Sequence, residues 1–225
     1  MTPRLTRSPD PDSLRAPRTS TVRRRVLRAT GGTVRERTDV VATEEPLEIR
    51  VWPPDQRAAV QVAVTMRTPG HDFELAAGFL FTEGIVRGAG AIRSMSYCTD
   101  PALDGEQQYN IVNVFLRPHA AFDLTRATRH FYATSSCGVC GKASIDAIRL
   151  DGVASVAEDD LAVDGRALGG CVEQLRAAQS VFDKTGGLHA AGLFDAAGRL
   201  VASREDVGRH NAVDKIVGRA LLGGA

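Results

Sequence analysis

Apolar and polar residues alternate in two short segments early in the chain, and this pattern predicts a β-hairpin. The segments are 47–51 (LEIRV) and 60–64 (VQVAV), and the turn-forming Pro53 and Pro54 lie between them. A period of two residues is typical of strands that are buried on one face. We therefore expect two antiparallel strands packed on a core.

A helical period begins after the hairpin. Apolar residues recur three and four positions apart from Phe73 to Phe81, following Pro69 and Gly70, and Gly84 supplies a stop signal. This pattern predicts an amphipathic helix that lies on the sheet. Two further strands are expected over Ile92–Cys98 and Tyr109–Leu116. The first half of the chain is therefore predicted to be a mixed α+β unit.

The second half alternates helical and strand patterns, which is typical of a layered α/β fold. Two strands are expected over 188–194 and 200–203, and they flank a turn at Ala197 and Gly198. Three helices are predicted through 143–148, over 171–184, and over 209–222 with Asp206 as a candidate N-cap. The overall prediction is an α/β protein with a mixed first half.

Composition and charge divide the chain into three parts. Its 225 residues are 43% hydrophobic and 24% charged, which is typical of globular proteins and excludes collagen-like and coiled-coil classes. Residues 1–28 carry eight Arg, two Asp and four of the ten prolines without an aromatic residue, so we expect a disordered basic arm. The arm has a net charge of +6 and the whole chain has +1, so residues 29–225 carry −5. This acidic balance argues against nucleic-acid binding by the folded part. The expected folded units are 29–128 and 129–225.

Nothing in the sequence indicates a membrane span or an export signal. No stretch approaches 18 consecutive apolar residues, and no apolar segment of signal-peptide length follows the N-terminal arginines. We therefore expect a cytoplasmic protein without a membrane partner. Arg23, Arg24 and Arg25 fit docking to a partner or binding of polyphosphate, but the composition of the arm favours a solvated tail without function.

Two of the four cysteines, Cys137 and Cys140, form a Cys-x-x-Cys pair on the glycine-flanked loop 135–141 (SSCGVCG). In a reducing compartment such a pair indicates metal binding or thiol reactivity rather than a structural disulfide. The helix predicted to follow and the charge of Lys142 both favour the thiolate, which is the nucleophile. A thiolate here can attack a persulfide on a donor protein, hold the outer sulfur and pass it on with help from the second cysteine.

Two other interpretations of the cysteine pair stay open from the residues alone, half of a structural zinc site and a thioredoxin-like redox motif. Cys98 and Cys171 lack the paired spacing of a zinc ribbon and are expected to be small core residues. A zinc deaminase needs His-x-Glu and a Pro before the first cysteine. Here Glu comes three residues after His71, and Ser136 precedes Cys137. We therefore predict no metal site.

Two later segments are candidates for binding an anion. His189 follows a double glycine near a strand start, where it either faces a ligand or is a satisfied core histidine. Arg209 and His210 open the last helix, and helix N-termini bind phosphate groups. The alternative is simple pairing four residues apart on that helix, of His210 with Asp214 and of Asn211 with Lys215.

Taken together, four ordered motifs resemble the FdhD family of formate dehydrogenase accessory sulfurtransferases. They are 68–80 (TPGHDFELAAGFL), 135–141 (SSCGVCG), 185–191 (TGGLHAA) and 204–215 (REDVGRHNAVDK). The resemblance extends from about Val40 to the C-terminus. It implies a cytidine-deaminase-like fold with a three-layer core, an N-terminal mixed α+β subdomain and a homodimeric assembly.

The resemblance also implies a reaction and the residues that perform it. A cysteine desulfurase would hand persulfide sulfur to Cys137, with Cys140 assisting. The sulfur would then pass to the molybdenum bis-guanine-dinucleotide cofactor, a substrate rather than a bound group, before that cofactor enters formate dehydrogenase. The residues implied to line the pocket for the guanine nucleotide end are His189, Arg204, Gly208, Arg209, His210, Asn211 and Lys215.

Members of this family continue for several dozen residues after the helix that here precedes Ala225, and that stretch contributes to cofactor binding. A C-terminally incomplete second unit is therefore expected. A different class of function also stays open. The chain would then be a zinc-stabilised binding module built on Cys137 and Cys140, or a catalytically inactive chaperone of the dehydrogenase.

Overall fold

The computed structural model describes five parts of the chain. They are residues 19–100, 108–118, 120, 122 and 161–223. The cysteine loop at 135–141 and the helix predicted through 143–148 lie outside the described residues.

The first described element is a two-stranded ribbon. Strand β1 (Thr21–Thr30) pairs antiparallel with β2 (Thr33–Ala42), and Gly31 and Gly32 form the turn with φ of 57° and 80°. The prediction of disorder is therefore wrong for 21–28. Left-handed glycines suit the tight turn of a two-residue hairpin, and the Thr and Val residues of both strands favour extended backbone. Arginine interrupts the apolar pattern in the sequence, although its aliphatic stem can lie along a sheet while its charge stays in water.

A four-stranded sheet forms the centre of the first half. Its strands are β3 (Glu45–Trp52), β4 (Val60–Arg67), β5 (Ile92–Tyr97) and β6 (Ile111–Leu116). They lie in the order β4-β3-β6-β5, with β3 antiparallel to β4 and parallel to β6, and β5 antiparallel to β6. The predicted hairpin and the two later strands are confirmed.

Helix α1 (Asp72–Thr82) packs on this sheet and ends at the predicted glycine. Gly84 has φ of 69°, and its N–H and that of Ile85 donate to the carbonyls of Phe81 and Leu80, a Schellman arrangement. The helix shares one buried apolar cluster with β3 and β6. Its members include Leu75, Ala76, Leu80, Leu47, Ile49, Val51, Val112 and Val114. Each buried Leu or Ile contributes about 1.5–3 kcal/mol of transfer free energy.

The second half, over its described residues, contains three helices and a strand pair. The elements are α2 (Gly165–Ala178), α3 (Ser180–Thr185), β7 (His189–Phe194), β8 (Leu200–Asp206) and α4 (Arg209–Gly223). Strands β7 and β8 are antiparallel neighbours, and α4 packs against both. The two strands and the final helix predicted here are confirmed.

The single helix predicted over 171–184 is wrong, because the chain breaks it at Gln179. The backbone of Gln179 has ψ of 73°, which is not helical. Beyond the break, the Glu205 carboxylate of β8 accepts hydrogen bonds from the N–H groups of Val181 at 3.0 Å and Phe182 at 2.7 Å. A carboxylate at this position satisfies the free N–H groups of a new helix start. Sequence periodicity does not show this contact, because its acceptor lies on another element.

Helices α1 and α4 join the two halves of the molecule. Gly78 of α1 lies against the backbone of Asp214, and Gly218 of α4 lies against the backbone of Glu74. A Cβ atom at either glycine would overlap a carbonyl oxygen of the facing helix. The described residues form a mixed α/β fold in which a helix of the first half of the chain packs on a helix of the second half at this crossing.

Candidate functional site

Two loops that each lead from a strand into a helix meet beside the α1–α4 pair. We call this place the two-loop junction, formed by 68–71 between β4 and α1 and by 206–208 between β8 and α4. The N–H of Thr68 donates to Asp206 Oδ2 at 3.1 Å, and the N–H of Val207 donates to Thr68 Oγ1 at 3.2 Å. These contacts join the loop that leads into α1 to the loop that leads into α4.

Lys215 holds the junction from inside the protein. It is 1% exposed, and its Nζ lies 2.6 Å from Asp206 Oδ2. The same ammonium donates to the carbonyls of Thr68 at 2.8 Å and Glu205 at 3.3 Å, so its three N–H donors all have acceptors. Full hydrogen bonding offsets the desolvation of a buried ion pair. The structure therefore gives Lys215 partners within the protein.

Asn211 is a second buried connection between the loops. Its Nδ2 donates to the carbonyl of Met66 at 2.7 Å and to Asp206 Oδ1 at 3.1 Å. Its Oδ1 accepts a hydrogen bond from Thr65 Oγ1 at 3.2 Å. The alternative in which Asn211 pairs with Lys215 along the helix is wrong, because both side chains reach acceptors on other elements.

Asp206 and Gly208 shape the turn into α4. Asp206 ends β8, and its Oδ1 accepts from the N–H of Gly208 at 2.8 Å. The residue before the helix is Gly208, so the predicted N-cap role of Asp206 is wrong in position. A Cβ at Gly208 would lie 3.0 Å from Asn211 Nδ2, closer than a side chain normally approaches, so this turn favours glycine.

Arg204 forms a half-buried ion pair on the α1 side of the junction. Its Nε and Nη2 donate to the two carboxylate oxygens of Glu74 at 2.5 and 2.8 Å. His71 stands beside this pair, with Nδ1 3.5 Å from Glu74 Oε2 and a left-handed backbone at φ 58°. Partial burial and the charge of Arg204 lower the pKa of His71 below its ordinary value.

Three of the predicted site residues, His189, Arg209 and His210, are exposed. His189 begins β7 and stands opposite Asp206 in the β7–β8 register, so the core-histidine alternative is wrong. Arg209 is the first residue of α4, and no ion pair involves it among the described residues. An exposed guanidinium at a helix N-terminus can contact an anion.

A second buried ion pair fixes the start of α1. Arg67 and Asp72 form two hydrogen bonds, Nη2 to Oδ2 at 3.0 Å and Nε to Oδ1 at 3.2 Å. Asp72 also accepts from the N–H of Gly70 and from the hydroxyl of Tyr97, whose pKa burial raises far above its ordinary value. Arg67, Asp72 and Glu74 are not among the site residues predicted from the sequence, although the motif 68–80 contains the last two.

The predicted catalytic residues Cys137 and Cys140 lie outside the described residues. Cys98 and Cys171 are half-buried rather than fully buried, and Cys171 Sγ donates to the carbonyl of Ala167 at 3.3 Å. Within the described ranges, no cluster of three His, Cys, Asp or Glu side chains is arranged to hold a metal ion. No helix in those ranges is long and apolar enough to cross a membrane.

Comparisons with known proteins agree on one family. Residues 42–225 match the sequence model described as the FdhD/NarQ family. The chain is 50% identical over 201 residues to the sulfur carrier protein FdhD of Mycolicibacterium paratuberculosis, covering 89% of this chain and 72% of that one. It is 47% identical over 206 residues to the protein of the same name from Streptomyces avermitilis, covering 91% and 71%. A crystal structure from Desulfotalea psychrophila, described as a formate dehydrogenase accessory protein, has a similar fold with a TM-score of 0.64. The two chains are 23% identical, and the match covers 92% of this chain and 71% of that one.

Proposed function

Because the chain belongs to the FdhD/NarQ family, we propose that it is a sulfur carrier that serves formate dehydrogenase. The sulfur donor is a cysteine desulfurase, and the acceptor is the molybdenum bis-guanine-dinucleotide cofactor before it enters the dehydrogenase. The proposal rests on the family match over 42–225, which includes the Cys-x-x-Cys pair. It includes a cytoplasmic homodimer and a deaminase-like core in the second half.

Cys137 is the proposed sulfur acceptor. Its thiolate attacks the outer sulfur of the persulfide on the desulfurase, and a new S–S bond forms on Cys137. The S–S bond of the donor breaks, and its electron pair leaves with the desulfurase cysteine as a thiolate. This exchange needs no external oxidant or reductant, since one persulfide replaces another.

Cys140 is the proposed partner in delivery. Its thiolate attacks Cys137 Sγ, the bond from Cys137 to the outer sulfur breaks, and the outer sulfur leaves as sulfide for the cofactor. A disulfide between Cys137 and Cys140 remains. A dithiol reductant of the cell then restores both thiols, which balances the two electrons that left with the sulfide.

The two-loop junction is the proposed site for the guanine nucleotide end of the cofactor. The exposed residues His189, Arg209 and His210 would contact its phosphates or base directly. The buried Lys215 and Asn211 would position them by holding the loops, together with the tight turn at Gly208 and the ion pair of Arg204 with Glu74. What supports this assignment is that the exposed guanidinium of Arg209 stands at the N-terminus of α4, directly after the junction, where backbone N–H groups can contact a phosphate.

Mass spectrometry after incubation with a desulfurase and cysteine tests the proposal. We expect an adduct of about 32 Da, one sulfur, that maps to Cys137. Cys137→Ala should abolish it, Cys140→Ala should impair delivery more than loading, and Cys171→Ala serves as the control. An unchanged adduct in Cys137→Ala would contradict the assignment. One tightly held zinc per chain that is lost in Cys140→Ala would support a zinc-stabilised module instead.

A further inference from the structure

The two-stranded ribbon, residues 21–42, carries none of the residues of the two-loop junction. Its outer part, residues 27–38, is exposed, and β2 contacts the rest of the protein at α3. The ribbon holds six Arg and two acidic residues, whereas residues 43–225 have a net charge of −5. A two-stranded hairpin is marginally stable by itself in water, so a long exposed one with this charge suggests a surface that is completed by a partner.

The register of the ribbon gathers arginines on one face. Directly opposite residues share a face, which places Arg24, Arg28, Arg35 and Arg37 together, with Arg28 directly opposite Arg35. Like charges at such a position destabilise a strand pair. Arg37 pairs with Asp39 at 3.2 Å, but no ion pair involves the other three arginines among the described residues. Asp39 also lies on this face, opposite Arg24, so four arginines and one carboxylate leave it with a net charge of +3 that an acidic partner can neutralise.

The opposite face of the ribbon differs in chemistry. Arg25 is neutralised there by Glu36 at 3.0 Å. Leu27 and Val34 lie on the same face and are 74% and 61% exposed. Arg23 also lies on this second face, so the ribbon presents one arginine-rich face and one face that mixes charged and apolar side chains, a combination that protein interfaces use.

We propose that the arginine face docks on an acidic surface of the formate dehydrogenase that receives the sulfur, an inference that rests on the function proposed above. Protein is favoured over nucleic acid because residues 21–42 contain no aromatic residue for base stacking and because residues 43–225 carry a net charge of −5. Glu36 and Asp39 would also repel a phosphate backbone. Docking of this kind holds the carrier at its acceptor by charge attraction.

The test measures binding of the full chain to purified formate dehydrogenase apoprotein at about 0.05 and about 0.5 M NaCl. The variants are Arg28→Glu and the double variant Arg28→Glu with Arg35→Glu. Arg57→Glu is the matched control, because Arg57 is exposed in the β3–β4 loop. This variant reverses the same charge at a position outside the ribbon. Arg28→Glu places opposite charges across the ribbon, so it should not weaken the fold.

We expect wild-type binding to weaken at high salt, with roughly threefold weaker binding for Arg28→Glu and roughly tenfold for the double variant. Arg57→Glu should bind like wild type, and the melting temperature of Arg28→Glu should not fall. The proposal is overturned if the double variant binds as tightly as wild type, or if wild type does not bind the dehydrogenase. It is also overturned if the arginines matter only for binding duplex DNA or the desulfurase. Persulfide mapping on Cys137 is independent of these results, so failure of the sulfur-carrier proposal is seen separately.

Discussion

Lys215 and Asp206 are almost completely buried, and each neutralises the charge of the other in an ion pair. Lys215 and Asp206 also bond to other parts of the protein, since Asp206 accepts from the N–H of Thr68 in the β4–α1 loop and Lys215 donates to the carbonyls of Thr68 and of Glu205 at the end of β8. At the scale of single residues, a lysine that the sequence motif associates with a ligand therefore acts on the loops that would surround the ligand.

Lys215→Met should lower the free energy of unfolding by about 3–5 kcal/mol, because it leaves the Asp206 carboxylate buried without its partner. Adding Asp206→Asn should recover part of the loss, so that the double variant is more stable than the sum of the single effects predicts. Urea denaturation of the three variants measures this coupling, and Arg209→Met, at an exposed position, is the control. Strictly additive effects would contradict a direct ion pair.

Asp214 is expected to make stability depend on pH. Burial is the main cause that raises its folded-state pKa to about 7 from 3.8, although Thr82 Oγ1 donates to its Oδ1 at 2.9 Å. The folded protein therefore binds more protons than the unfolded chain between these values, and the contribution of Asp214 to stability, full below pH 3.8, is lost as the pH rises through about 7.

Asp214→Asn should remove that part of the fall in stability between pH 4 and 7, because an amide does not ionise and can still accept from Thr82. Denaturation curves at several pH values measure the slope. Asp195→Asn is the control, since hydrogen bonds from Arg199 lower the pKa of Asp195 and its titration lies below this window. An unchanged slope in Asp214→Asn would contradict the raised pKa.

At the scale of elements, the crossing of α1 and α4 should be intolerant of added volume. Alanine favours helices by about 0.5–1 kcal/mol over glycine, yet a methyl group at Gly78 or Gly218 would overlap the facing backbone. Gly78→Ala and Gly218→Ala should each destabilise the protein by about 1–3 kcal/mol or more. Gly169→Ala in α2, where no atom lies within 4 Å of the added Cβ, should instead be neutral or stabilising. Thermal melting of the three variants gives the sign, and equal signs would contradict the close approach.

Most described elements could be predicted because their apolar residues face a core. The alternation in 47–51 and 60–64 corresponds to β3 and β4, and the helical period from Phe73 matches α1. The ribbon strand β1 was missed because arginines occupy its exposed positions. The break at Gln179 was missed because the carboxylate of Glu205, distant in sequence, determines it.

Several residues that lie at or beside the two-loop junction were named from the sequence, but their contacts were not predictable. The motif 204–215 and His189 do lie at or beside the two-loop junction. Spacing of four residues suggested that Asn211 pairs with Lys215, whereas contacts with Met66 and Thr68 on the first half determine both orientations. Such contacts depend on how the two halves pack, which periodicity along one helix does not contain.

At the scale of the whole molecule, the junction depends on both halves of the chain. Thr68 and His71 come from the first half, and Asp206 and Arg209 come from the second. The α1–α4 crossing holds the two halves together, so the contacts between the two loops depend on it. Binding at the junction should consequently report on the assembled molecule rather than on either half.

Guanosine diphosphate, as a stand-in for one arm of the dinucleotide, should bind at the junction through Arg209. Arg209→Ala should weaken that binding roughly tenfold or more, since it removes a charge-assisted contact to phosphate at a helix N-terminus. Arg219→Ala is the matched control, because Arg219 is also exposed on α4 but lies near its C-terminal end. Titration calorimetry on the full chain measures the three affinities. The prediction is contradicted if wild type and Arg209→Ala bind with equal affinity. It is also contradicted if Arg219→Ala loses as much affinity as Arg209→Ala. In either case Arg209 is a surface residue that does not contact the nucleotide.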